Sequence, residues 1–142
     1  MRLLLSTLFS VFTFLAFSQQ ENINITIENI DITKKGTIML GLYSDQASFP
    51  VVGKEIARKI VQFNSSSAYV VIENVTPGNY SIAIFHDVNE NETLDKNFFG
   101  VPEEGYAFSK NVYGLFGPPS FSDAKFTVKE GEKNELSIKL EY

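Results

Sequence analysis

The sequence predicts an all-β fold: an antiparallel β-sandwich of about seven short strands, Greek-key, immunoglobulin-like or prealbumin-like, with a long aromatic Gly/Pro loop. Three observations predict it. Apolar residues recur at every second position over short runs, the period of a strand with one buried face. Clusters of Gly, Pro, Asn, Asp and Ser, which are turn formers, separate those runs. No apolar repeat of 3.6 residues persists long enough to predict a long helix. A closed barrel fits the same spacing and is the alternative.

In chain order, Ile23, Ile25 and Ile27 alternate with Asn24, Thr26 and Glu28, and residues 31–36 then turn the chain. Ile38, Leu40 and Leu42 share one face of a second strand, with Thr37, Met39 and Tyr43 on the other. Residues 44–53 read as an ordered crossover anchored by Phe49 and Val51. Residues 54–63 are ambiguous between helix and strand, and a strand is predicted over their second half. Residues 68–73 form a β-branched run. Thr76-Pro77-Gly78-Asn79 predicts a type II turn with Gly78 at positive φ. Tyr80, Ile82 and Ile84 then oppose Ser81, Ala83 and Phe85 in a strand covered on both faces, hence a central one. Ala124, Phe126 and Val128 begin a further strand, residues 129–133 read as a hairpin turn, and Leu136, Ile138, Leu140 and Tyr142 alternate to the last residue.

The first eighteen of the 142 residues are predicted to be a signal peptide. Arg2 supplies the positive start, Leu3 to Phe17 the apolar stretch, and Ala16-Phe17-Ser18 the cleavage site before Gln19. The run is shorter than the roughly 20 residues of a spanning helix. One domain, residues 19–142, is expected, secreted or periplasmic and with no membrane span after cleavage. The formal charge of −5 has no basic cluster behind it, which argues against nucleic acid and anionic membrane surfaces as partners. Without cysteine there is no disulfide and no thiol chemistry.

The stretch from Phe85 to Phe121 holds the candidate site. Asp87, Asn89, Asn91, Thr93 (through its carbonyl) and Asp95 stand at positions one, three, five, seven and nine of an EF-hand-type loop. Short oxygen-bearing side chains at alternate positions of a tight loop turn inward and reach a cation without crowding it, so calcium is the candidate cofactor. Glu92 stands where glycine makes the sharp turn, and Phe98 where a bidentate Glu closes the shell. Glu104 is the candidate substitute for that closing carboxylate. The competing interpretation is that these side chains cap their own turns.

Phe98, Phe99, Tyr106, Phe108, Tyr113, Phe116 and Phe121 follow, and they are expected to pack as a lid over one end of the sandwich. His86 is the only histidine. With one His and no Cys, no nucleophilic triad or zinc-hydrolase set can be assembled, so His86 is expected to be structural and no catalytic residue is assigned.

His86-Asp87-x-Asn89-x-Asn91-x-x-x-Asp95, then Phe99-Gly100-Val101-Pro102-x-Glu104-Gly105-Tyr106-x-Phe108-Ser109, then Phe116-Gly117-Pro118-Pro119-Ser120-Phe121-x-x-Ala124-x-Phe126 resembles a family of uncharacterised secreted bacterial proteins, domain of unknown function 2141. The resemblance covers essentially the mature chain, supports the signal peptide, and implies no activity. The family's usual residue at position 92 is glycine. Pro77-Gly78-x-Tyr80 is more loosely similar to transthyretin-like and carboxypeptidase-regulatory-like sandwich modules, most of which are non-catalytic.

These readings predict an exported, non-catalytic β-sandwich with a calcium loop, acting in binding or structure at the envelope or outside it, on an unknown protein or small ligand. The alternative is a carrier of a small apolar ligand held in the sandwich or under the aromatic loop. A deep apolar pocket of several hundred Å³ would favour the carrier.

Overall fold

The computed structural model describes residues 19–142; the predicted signal peptide, residues 1–18, lies outside the described residues. Two sheets pack face to face. One has three strands in the order β4 (Ser67–Val75), β1 (Glu21–Glu28), β8 (Asn134–Lys139). The other runs β3 (Ala57–Val61), β2 (Thr37–Tyr43), β5 (Gly78–Asp87), β6 (Tyr106–Phe108), and β7 (Phe126–Val128) pairs with the start of β5. The fold is the all-β sandwich predicted, with eight strands.

The core lies between the sheets and takes every inward-facing position of the alternating runs. Ile23, Ile25 and Ile27 of β1, Ile38, Leu40 and Leu42 of β2, Ile82 and Ile84 of β5 and Ile138 of β8 are all essentially buried. At about 25 cal/mol per Å² of apolar surface removed from water, this cluster supplies the main drive to fold in a domain with no disulfide. A short four-residue helix, α1 (Phe121–Ala124), capped by the Ser120 hydroxyl on the Asp123 N–H, precedes β7.

Several local expectations are corrected. β1 and β8 pair in parallel, so the sandwich is not antiparallel throughout. Period-two alternation fixes which face is buried but not the direction of the neighbour. The predicted hairpin turn at 129–133 is a crossover, because β7 and β8 belong to different sheets. Gly78 is not at positive φ but opens β5, and it is Asn74 that adopts φ +60° nearby. Of the two crossover anchors, Phe49 is buried and Val51 is exposed.

The aromatic lid forms only in part. Tyr43, Phe49, Phe108 and Ala124 make a second apolar cluster outside the five-stranded sheet, with Tyr106 and Phe121 packed against it. Phe98 and Phe116, by contrast, are 97% and 104% exposed, and Phe99 is 85% exposed. They stand at the tips of tight turns, where no second layer covers them.

Candidate functional site

The outer face of the five-stranded sheet carries a groove of about 850 Å³. Strand register explains why there is room. Facing pairs on β2 and β5 read Met39 with Phe85, Gly41 with Ala83, and Tyr43 with Ser81. These residues alternate with the core positions, so they point outward. The middle pair has almost no side chain, and the Tyr43 ring lies over Gly41, so the groove floor stays low from that ring across to Met39 and Phe85. A Cβ on Gly41 would fall 2.9 Å from that ring, so glycine is required for Tyr43 to lie where it does. The same row continues to Arg58 of β3, which faces Gly41, and to Phe108 of β6, which faces Ala83.

Three loops wall the groove. The crossover contributes Pro50, Val51 and Val52; the strap after β5 contributes Leu94, Phe99 and Val101; the segment before α1 contributes Leu115, Phe116 and Pro118. The strap is a small hairpin, with the Glu103 N–H on the Asp95 carbonyl at 2.9 Å and the Asn97 N–H on the Val101 carbonyl at 2.9 Å. Asn97 Oδ1 also accepts the N–H groups of Phe99 and Val101, which fixes the tip. Upstream of the third wall, the Asn111 side chain bonds Ser137 and Lys139 as a neighbouring strand would, so residues 109–113 seal the open edge of β8. Leu115, 94% exposed, thus projects from an anchored base.

One end of the groove is polar. Arg58 donates from Nε to Glu55 Oε1 and from Nη1 to Glu92 Oε2, the latter at 3.3 Å. Glu55 also accepts the Gly53 N–H at 2.6 Å. Burial raises the Glu55 pKa, but backbone N–H groups and Arg58 outweigh it and hold the carboxyl below its ordinary value. Burial, helped by the Glu55 charge, pushes the Tyr43 phenol up to about 12, so it is neutral in the groove wall at ordinary pH.

The predicted cation loop forms the strap's base, and the structure brings its residues together. Asp87 is 1% exposed and accepts the N–H groups of Asn91 and Glu92 at 3.0 and 2.8 Å. Glu92 takes φ +60°, as expected of the residue standing where glycine makes the turn. Glu104, buried, accepts the Val88 N–H at 2.8 Å with Oε1 and the Asp95 N–H at 3.1 Å with Oε2, clamping both ends of the loop. Thr93 donates its N–H and hydroxyl to Asn91 Oδ1. The amide groups of Asn89 and Asn91 donate to the two oxygens of Asp95, at 2.6 and 3.1 Å. The loop in this arrangement closes on its own hydrogen bonds. No cluster of three or more His, Cys, Asp or Glu suited to a metal occurs among the described residues.

Residues 25–136 match the family described as an uncharacterized protein conserved in bacteria, domain of unknown function 2141. The chain belongs to that family. The matched span contains the whole groove lining and all six loop residues, and ends before Tyr142. No curated protein and no solved structure matches the chain.

Sequence reasoning located the Asp/Asn loop but missed the groove, with Arg58, Glu55, Lys96 and Leu115 in its walls. The available signal was Gly41 opposite a small residue in two central strands, which marks an outward face too thin to fill itself.

Proposed function

We propose that the protein is an exported carrier that holds a small apolar ligand in the groove outside the five-stranded sheet. The observation that carries this reading is the low groove floor at Gly41 and Ala83, walled by Met39, Phe85 and Leu115. Its volume of about 850 Å³ falls within the range of ligand pockets, which are mostly apolar with a few fixed polar groups. Exposed Phe99, Leu115 and Phe116 around the mouth form an apolar rim of the kind that marks binding surfaces. The predicted signal peptide supports export. Calorimetric titration with a neutral probe, decanol, tests the reading. Saturable one-to-one binding with a negative heat-capacity change is expected, and no saturable binding rejects the carrier.

Calcium at Asp87, Asn89, Asn91, Thr93, Asp95 and Glu104 stands as a second reading, favoured by the positive φ of Glu92 at the glycine position. An ion there requires Asn89 and Asn91 to turn their amides so that oxygen, not nitrogen, faces Asp95.

A further inference from the structure

We infer that the groove's ligand is a monoanionic amphiphile, a long-chain carboxylate whose head is received by Arg58 and Lys96 while its chain lies over Gly41 and Ala83. This inference rests on the carrier reading above. Glu55, Arg58 and Lys96 line the groove and Glu92 reaches Arg58 from its edge, so the two cations are balanced only while Glu92 stays in place. Once Glu92 moves into water the site keeps one unbalanced positive charge, which a single negative charge complements.

Arg58 holds two carboxylates that differ in kind. The Glu55 side chain is 7% exposed and bound a second time through Gly53, so it is fixed. The Glu92 side chain is 62% exposed and meets Arg58 by one contact at 3.3 Å, so it is exchangeable. Such an exposed pair contributes little to stability, and a ligand carboxylate can take Nη1 as Glu92 swings into water. Lys96 has no ion-pair partner among the described residues and lies on the strap beside Leu94 and Phe99. Arg58 is the cross-strand neighbour of Gly41, so a head on the guanidinium places the first carbons of its chain on the low groove floor. With Nε and Nη2 on Glu55, the ligand carboxylate meets the guanidinium through Nη1 as a charge-assisted hydrogen bond.

The test compares decanoate with decanol on the purified chain and on Arg58→Gln, Lys96→Gln and Glu92→Gln, by calorimetry at pH 7.5. Decanoate is expected to bind about tenfold tighter than decanol. Arg58→Gln is expected to abolish that preference, so that decanoate and decanol bind this variant alike, Lys96→Gln to reduce it, and Glu92→Gln to strengthen decanoate alone by about threefold. If Arg58→Gln melts early for want of its Glu55 partner, the other two variants decide. Equal affinity for decanoate and decanol, or a preference untouched by Lys96→Gln and Glu92→Gln, overturns the assignment of the head and leaves the groove standing. Failure of both probes to bind overturns the carrier reading itself.

Discussion

The phenol oxygen of Tyr142, the last residue, lies 2.7 Å from Nδ1 of His86, whose ring is fully buried. His86 Nε2 is 2.9 Å from the Lys35 carbonyl, which can only accept, so the ring proton sits on Nε2 and Nδ1 accepts from Tyr142. The Tyr142 oxygen in turn accepts the Asp31 N–H at 2.9 Å. One histidine thus joins the chain end to the turn after β1 and to the end of β5. Tyr142→Phe is expected to cost about 1–3 kcal/mol in urea denaturation, because it leaves a buried Nδ1 without a donor. A change within about 0.5 kcal/mol, usual for an exposed side chain, would contradict this role.

Gly36 shows the same joint from its backbone. At φ +95°, a Cβ there would fall 1.9 Å from the Asp87 carbonyl oxygen. Gly36→Ala is expected to destabilise by more than about 2 kcal/mol, or to prevent folding. Gly131→Ala, at φ +67° in open space, is expected to cost only the backbone penalty of about 1 kcal/mol. Equal thermal melts for the two variants would refute the packing argument.

The Tyr43 phenol gives a pH dependence with a definite sign. Its folded pKa of about 12 lies above the ordinary phenol value of about 10, chiefly through burial. The unfolded chain therefore loses its proton first. The associated stability is fully present below pH 10 and is lost as pH rises toward 12, with a limit of order 2 kcal/mol. Urea melts at pH 9 and pH 12 should show Tyr43→Phe losing less than the unmutated chain. An identical loss in both would remove Tyr43 from the alkaline transition.

Much of the fold was legible because β1 and β8 bury one face each, which a period of two imprints directly, and because β2 and β5, apolar on both faces, read as central strands. The parallel pairing of β1 with β8 was not legible, since alternation contains nothing about a partner's direction. The strand predicted from Ala124 begins only at Phe126, Ala124 closing α1 instead; three-residue strands such as β6 and β7 are too short to show a period. In the loop, spacing picked out Asp87, Asn89, Asn91 and Asp95, and these residues share one set of hydrogen-bonded turns. The aromatics misled in one respect. Composition cannot tell Phe108, which sits on a strand facing the crossover, from Phe98 and Phe116, which sit on turn tips. The groove was hidden because it arises from what Gly41 and Ala83 lack, and a missing side chain has an effect only once its strand neighbours are known.

For the loop, calcium is expected to bind weakly, with Kd about 10⁻⁴–10⁻³ M, since few carboxylates face the ion and no bidentate Glu stands at position twelve. At a hundredfold excess over Kd the gain in stability is about 2.7 kcal/mol. Asp87→Ala should abolish that gain and Glu92→Gly should strengthen it by relieving the positive φ. A melting temperature that ignores calcium and chelator alike would leave the loop as a set of self-capping turns.

On the carrier reading, an apolar ligand lies on the groove floor at Gly41 and Ala83. Ala83→Trp fills that part of the groove from the outward face without entering the inter-sheet core. The most direct measurement is a fluorescence titration of a neutral apolar dye, Nile red, against the unmutated chain, Ala83→Trp, and Tyr69→Ser on the other sheet as a control, each confirmed folded by its melt. Saturable one-to-one binding is expected for the unmutated chain and for Tyr69→Ser, weakened at least about tenfold in Ala83→Trp. Undiminished binding by a folded Ala83→Trp would contradict this reading.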